Sequence, residues 1–377
     1  MNVLMHIDSF VLGGAQRQFI NLAVQLSESG FDVSICTYYP IQETLTDEYE
    51  KRFRITCFDK SFKYDLSPAV KLGRKIREEK SDVVIAFLAT PSVYAELSRF
   101  TGHTAPVIVS ERNGPGQYTG LFKERALVAL HTLANKVVFN NYGHRNDLIG
   151  KYNGLEGKSL VIYNGVNSRY FRSNCSNAKN LQVDNDSEKI NKEFKFCVVS
   201  ARPIERKGLF DLIDAIAILK SRCNKAFSVD WIGGADESNL NVQRANTLLE
   251  QKQIVQNWCW KGVNKELHNR YSKYDAILVP SRREGVSNAL CEAMACGLPC
   301  IASDIVDHRT VVYESGAGIL FEVQNATALA ESMEQFINAD AQTLAVYGRC
   351  ARTFAETNFS MERYTENWCK LIKSVVK

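Results

Sequence analysis

Apolar residues in this chain fall into short unbroken runs that alternate with longer stretches of helical periodicity. "NVLMHID" near the start has the length and composition of a buried strand. A Gly-Gly turn follows, then the amphipathic run "AQRQFINLAVQLSESG", which stops at Gly30. The cycle repeats with strand candidates "FDVSICTYY", "DVVIAFL", "PVIVSE", "KVVFN" and "KSLVIYNGV", separated by helical runs such as "PAVKLGRKIREEK" and "FKERALVALHTLA". Continuous apolar strands alternating with helices predict a parallel sheet with crossover helices, a doubly wound α/β domain. Residues 174–193, "NCSNAKNLQVDNDSEKINKE", break the pattern with Asn, Ser, Asp and Lys and offer little to bury, as a linker would. The alternation then restarts with "FKFCVVSA", a helix over about 207–222, "AFSVDWIGG", a helix near 240–252, "VQNWCWKG", "YDAILVPS", the helix "NALCEAMACG", "PCIASD" and "GAGILFE". Two α/β halves facing each other across a cleft are expected, with a last helix from near Ser360.

Length agrees with this division, since 377 residues exceed what one core usually supports. A net charge of +4 is mild and comes with no aromatic-interleaved basic motif, so nucleic acid is not an expected partner. The excess sits in residues 1–185, with 22 Lys and Arg against 18 Asp and Glu. Eleven cysteines without a C-x-x-C pair suggest neither a disulfide framework nor a zinc ribbon, and a reducing compartment is the simpler setting. There is no basic leader with a cleavage site and no apolar run of roughly 20 residues, so the expected location is cytoplasmic, at most on a membrane surface. Basic runs such as "VKLGRKIREEK" and "LFKERALVALHTLANK" could lie against anionic lipid or be ordinary solvated faces.

The stretch "PSRREGVSNALCEAMACGLPCIASD" carries the most chemistry. Glu284 and Glu292 stand eight positions apart, which in one helix is roughly 12 Å along the axis. Glycosidase carboxylates face one bond at about 5–9.5 Å, so an acid and nucleophile pair is a poor fit. The stretch instead supplies a helix start, with amides of Val286, Ser287, Asn288 and Ala289 suited to phosphate, flanked by acids suited to sugar hydroxyls. Surface charge on an amphipathic helix is the plain alternative. In "VVSARPIERKGLFDLIDAI", Arg202 follows a strand and Lys207 opens the next helix, placing two cations where a diphosphate could be neutralised. In "SFVLGGAQRQF", Gly13 and Gly14 allow close backbone approach at a helix mouth. The triplet Asp184-Asn185-Asp186 follows no strand and reads as part of the polar tract rather than a metal site.

These motifs together, "LGGAQR", "YNGVN", "ARPIERKG", "WKGV" and the E-x7-E frame with its G-x-P-x-I-A-S tail, resemble retaining glycosyltransferases of the GT-B fold. The similarity is to glycosyltransferase family 4, the bacterial lipopolysaccharide, capsule and lipid-linked glycan type. The resemblance implies two Rossmann-like domains: 1–173 for the acceptor and 194–357 for the nucleotide-sugar donor. A linker at 174–193 joins them, and a helix in 358–377 returns to the first domain. It implies that Glu284 meets the donor sugar, Glu292 holds the ribose, and Arg202 and Lys207 bind the diphosphate. Ser287, Asn288 and Ala289 would help through their amides, Gly14 would lie beside the donor, and Val263 would neighbour the base.

The implied reaction is a metal-independent, retaining transfer of a hexose or N-acetylhexosamine from a nucleotide-diphosphate sugar, UDP-linked more than GDP-linked. The acceptor would be a saccharide, lipid-linked or part of a growing polysaccharide. The resemblance also implies a family histidine in the loop after "PVIVSE"; this chain has Arg112 and Asn113 there, and Gly13, Glu111, Arg112 and Asn113 are candidate acceptor or sugar contacts. A nucleotide-sugar epimerase and a non-catalytic sugar-nucleotide-binding subunit are the rival readings. None of the six histidines falls in a motif, and each is expected to be structural.

Overall fold

The computed structural model describes residues 1–10, 13–39, 46–62, 64–112, 121–172, 193–264 and 266–376. The chain divides into two compact units, one built from residues 1–165 and 362–377, the other from 166–361. In the first unit the strands are β1 (Asn2–His6), β2 (Asp32–Thr37), β3 (Arg54–Cys57), β4 (Val83–Phe87), β5 (Val107–Glu111), β6 (Lys136–Phe139) and β7 (Ser159–Val161). They pair in parallel in the order β3-β2-β1-β4-β5-β6-β7. The second unit has β8 (Phe194–Val199), β9 (Phe227–Ile232), β10 (Trp258–Gly262), β11 (Ala276–Val279), β12 (Cys300–Ser303) and β13 (Gly318–Phe321). These are also parallel, in the order β10-β9-β8-β11-β12-β13. Both sheets therefore reverse winding direction once, between β1 and β4 and between β8 and β11. In open α/β sheets ligands bind outside the carboxyl ends of the strands at such a reversal.

The strands form where they do because helices cover both faces of each sheet. Every residue of β4, "VVIAF", is fully buried, which is why it reads as an unbroken apolar run. β3 is absent from the strand candidates read in the sequence. It is a four-residue edge strand whose residues are exposed or half-buried, so "RITC" has no apolar signature to betray it. The expected helix start at Lys207 also differs: Glu205–Lys207 form a single 3-10 turn, and the helix runs Leu209–Arg222. Gly208, at φ +75°, separates the two.

The division between units falls eight residues before the 173 boundary expected from sequence. The short helix Ser168–Arg172 belongs to the second unit, where the Tyr170 ring lies 6.3 Å from that of Tyr271 and the Tyr170 carbonyl meets the Cys296 thiol at 3.4 Å. The final helix, Met361–Val375, contributes its residues from Glu362 onward to the first unit. There Trp368 stacks on Phe87 at 5.8 Å and the Tyr364 hydroxyl donates to the Gln18 carbonyl at 3.4 Å.

A charged triad lies inside the first unit. His131, at the end of the helix Leu121–His131, pairs through Nδ1 with Glu96 at 2.6 Å and through Nε2 with Glu111 at 3.2 Å, and all three side chains are fully buried. Burial pushes the imidazole pKa down, but the two carboxylates outweigh it and hold it up at about 10. His131 is thus charged at neutral pH and bridges three elements. Because its folded pKa lies above the unfolded value, this stabilisation is complete below the unfolded pKa and is lost as pH rises through about 10. His131→Leu strands two buried carboxylates, and chemical denaturation at neutral pH should show a loss of about 3–5 kcal/mol. An unchanged midpoint would show that the triad carries no such load.

Candidate functional site

At the β8/β11 reversal a small pocket opens, lined by Ser200, Lys207, Ser281, Glu284, Ser287 and Ala289. Its walls are two loops, 200–208 after β8 and 280–287 after β11. Gly208 lets them approach: a Cβ there would sit 2.0 Å from the Pro280 carbonyl oxygen. Arg282 fastens them. Its Nε and Nη2 donate to the two oxygens of Asp211 at 2.8 and 2.9 Å, and its Nη1 donates to Glu205 at 2.5 Å. Its own amide donates to the Arg206 carbonyl at 2.9 Å. A planar guanidinium can satisfy both acids at once, which an ammonium cannot.

Within that frame Lys207 donates to one carboxylate oxygen of Glu284, and the Ser281 hydroxyl donates to the other at 2.7 Å. Both side chains are mostly buried, 19% and 17% exposed, so the pair is shielded from bulk water yet open to the pocket. Burial pushes the Glu284 carboxyl up, but Lys207 and the Ser281 hydroxyl prevail and hold it below the usual carboxylate range. Glu284 is an anion able to accept hydrogen bonds.

Next to the pair begins the helix Asn288–Ala295. Ser287 is its N-cap and accepts from the Leu290 amide at 3.2 Å. Glu292 lies one turn along, 5% exposed. Arg202 is exposed on the 200–208 loop, where its carbonyl accepts the Ser200 hydroxyl at 3.1 Å. Val263, just past β10, is 80% exposed. The second unit thus brings Lys207, Glu284, Ser287 and Ala289 into one pocket, with Asn288 and Glu292 on the adjoining helix.

In the first unit Gly13 caps and Gly14 opens the exposed start of the helix Gly14–Glu28. Glu111 is fully buried in the histidine triad. The Arg112 guanidinium lies 4.2 Å over the Phe87 ring and donates to Asn164 at 2.7 Å, which ties it to the aromatic cluster under the final helix. Asn113 and the Asp184-Asn185-Asp186 triplet lie outside the described residues.

Two participants escaped the sequence reading. Arg282 is not singled out by any local motif, since its partners are 71 and 77 residues away. His308 is fully buried, with Nδ1 on the Ser303 carbonyl at 2.9 Å and Nε2 without a partner among the described residues. Ser303 in turn donates its hydroxyl to the Ser281 carbonyl at 2.6 Å. Burial pushes the His308 pKa down, so a neutral imidazole underlies the pocket floor.

Two doubly wound parallel sheets, one with the Lys207–Glu284 pair in a pocket at its reversal, are the architecture of GT-B glycosyltransferases, and the comparisons with known proteins agree. Residues 12–170 match the family described as Glycosyltransferase Family 4, and residues 182–353 match Glycosyl transferases group 1, so the chain belongs to these glycosyltransferases. It is 22% identical over 295 residues to the N-acetylgalactosamine-N,N'-diacetylbacillosaminyl-diphospho-undecaprenol 4-alpha-N-acetylgalactosaminyltransferase of Campylobacter jejuni, covering 76% of this chain and 75% of that one. It is 24% identical to an uncharacterized glycosyltransferase of Methanocaldococcus jannaschii, covering 93% and 92%. Among solved structures, a Rickettsia africae glycosyltransferase superposes with a TM-score of 0.82 at 19% identity, covering 100% of this chain and 98% of that one. Anabaena HepE in complex with UDP and glucose gives 0.81 at 18%, covering 99% of each.

Arg282→Ala should leave the secondary structure intact by circular dichroism yet lower kcat/KM for glycosyl transfer about a hundredfold, through misplacement of Lys207 and Glu284. Arg282→Lys should not restore it. Wild-type kinetics in either variant would show that the clamp is dispensable.

Proposed function

We propose that this glycosyltransferase moves a hexose or N-acetylhexosamine from a UDP-sugar to a lipid-linked saccharide, with retention of anomeric configuration and without a metal, in bacterial surface polysaccharide assembly. The observation that carries the reading is the Lys207–Glu284 pair beside the start of the helix Asn288–Ala295. A nucleotide-diphosphate sugar presents a phosphate anion next to sugar hydroxyls, and this pocket presents a cation and amide donors next to a carboxylate. On donor binding Lys207 exchanges Glu284 for a diphosphate oxygen, Arg202 adds a second cation, and Glu284 accepts from the sugar. Glu292 takes the ribose hydroxyls.

In the reaction the bond from the sugar anomeric carbon to the diphosphate oxygen breaks. Lys207 and Arg202 stabilise the charge that develops on that oxygen. The acceptor hydroxyl bonds to the anomeric carbon on the same face, and its proton passes to the departing diphosphate. No protein base is needed, and positioning supplies most of the remaining acceleration. A UDP donor is supported by the UDP and glucose complex of HepE, and a lipid-diphosphate acceptor by the name of the Campylobacter relative. Relatives in Staphylococcus aureus and Erwinia amylovora are named for capsular polysaccharide and amylovoran biosynthesis.

Purified protein incubated with UDP- and GDP-sugars should release UDP, faster with an undecaprenyl-diphosphate-linked saccharide present and equally well in EDTA. Product NMR should show the donor's anomeric configuration. Lys207→Ala and Glu284→Gln should each lower kcat about 10²–10³-fold, the scale of losing a transition-state donor. Glu292→Gln should mainly raise the donor KM. Nucleotide release from no donor would overturn the reading, and normal kinetics in both glutamate variants would overturn the site.

A further inference from the structure

His308 is no part of the pocket wall, yet it is joined to it. It closes the helical turn Val306–His308, after which the backbone widens into a π-helix over Arg309–Glu314. Such windings are rare and occur frequently at functional sites. The ring held there is fully buried. Its Nδ1 meets the Ser303 carbonyl at 2.9 Å, and because a carbonyl only accepts, Nδ1 carries the proton. In the neutral ring Nε2 is then a bare lone pair, buried and without a partner among the described residues. Ser303 passes the contact on: its hydroxyl donates to the Ser281 carbonyl at 2.6 Å, and the Ser281 hydroxyl donates to Glu284 at 2.7 Å. A displaced ring therefore displaces Ser303, then Ser281, then the carboxylate that Lys207 holds.

Charge couples the ring to the same pair. Glu284, on the loop after β11, favours a proton on His308; Lys207, on the loop after β8, opposes one; Asp304, just past β12, favours one. Asp304 is itself engaged by Arg309 at 2.6 Å. On its own segment Asp307 and Arg309 flank the ring. The strands packed against that segment, β12 and β13, bring no titratable group except Cys300, a thiol that burial keeps protonated. Burial is the largest influence on His308 and pushes its pKa down, so the ring is neutral at neutral pH. A proton on Nε2 would set a second cation against Glu284, in competition with Lys207, and would repel the ammonium.

We propose that His308 is a positioning residue for sugar transfer: as a neutral ring it keeps Ser303, Ser281 and Glu284 in register with Lys207, and on gaining a proton at Nε2 it draws Glu284 away from the donor. The inference rests on the reading of the pocket as the donor site. kcat/KM reports the ionisations of the free enzyme, the state in which Lys207 and Glu284 face each other. It should be full at neutral pH and fall only as pH drops below the ordinary imidazole range, about 6.5, because the folded ring resists protonation.

The test is the pH profile of kcat/KM for a UDP-sugar in the full chain and in two variants. An Asn side chain can repeat the donation to the Ser303 carbonyl but takes up no proton, so His308→Asn should keep most of the activity at neutral pH and lose the acid limb down to the carboxylate range. His308→Leu makes no such bond and should lower kcat/KM about tenfold at neutral pH, with circular dichroism unchanged. An acid limb in His308→Asn that coincides with that of wild type, or wild-type kinetics in His308→Leu, would overturn the proposal. Side-chain NMR of the histidines needs no turnover. It should show His308 with Nδ1 protonated and Nε2 bare, and a titration midpoint that falls in Glu284→Gln and rises in Lys207→Ala. A midpoint that neither variant moves also overturns it. Midpoints that move as expected in a protein releasing nucleotide from no donor would support the coupling of His308 to the pair and overturn the donor reading alone.

Discussion

Everything at the candidate pocket depends on two loops being held at van der Waals distance over the point where the second sheet reverses. The residues that accomplish this are not themselves binding groups. Gly208 removes the side chain that would block the Pro280 carbonyl, and Arg282 bolts one loop to Glu205 and Asp211 on the other side. Only then does the Lys207 ammonium reach the Glu284 carboxylate across 77 residues of sequence. The sheet supplies the location and the helix Asn288–Ala295 the amides, but the clamp sets the spacing between cation and acid.

The two units use charge burial differently. In the first, Glu96, His131 and Glu111 form a sealed network with no opening to solvent, and its effect is to join two helices to a strand end. In the second, Lys207 and Glu284 are similarly paired but border a pocket, and Ser281, Ser303 and the neutral His308 back them from below. The first arrangement stabilises one state. The second leaves both partners on the wall of an open pocket.

Most of the strand order's raw material was legible in the sequence, since strands covered on both faces must be apolar throughout, as β4 and β11 are. β3 was not, being a short edge strand with no buried face to encode. The helix start at Ser287 was legible because its N-cap and the residues after it are neighbours in sequence and follow local rules. Arg282 was not, because its meaning lies in partners far along the chain. The same limit applied to Arg112, whose seat over Phe87 and against Asn164 depends on the return of the last helix.

That return has a bearing on how the molecule is born. Trp368 and Tyr364 complete the core of the unit that holds residues 1–165, so that unit cannot close until the residues beyond 361 have been made. The second unit, whole by residue 361, has all its parts sooner. Folding therefore reverses the written order, and for a time the nascent chain carries a unit with all its parts beside an open sheet that must be kept from aggregating.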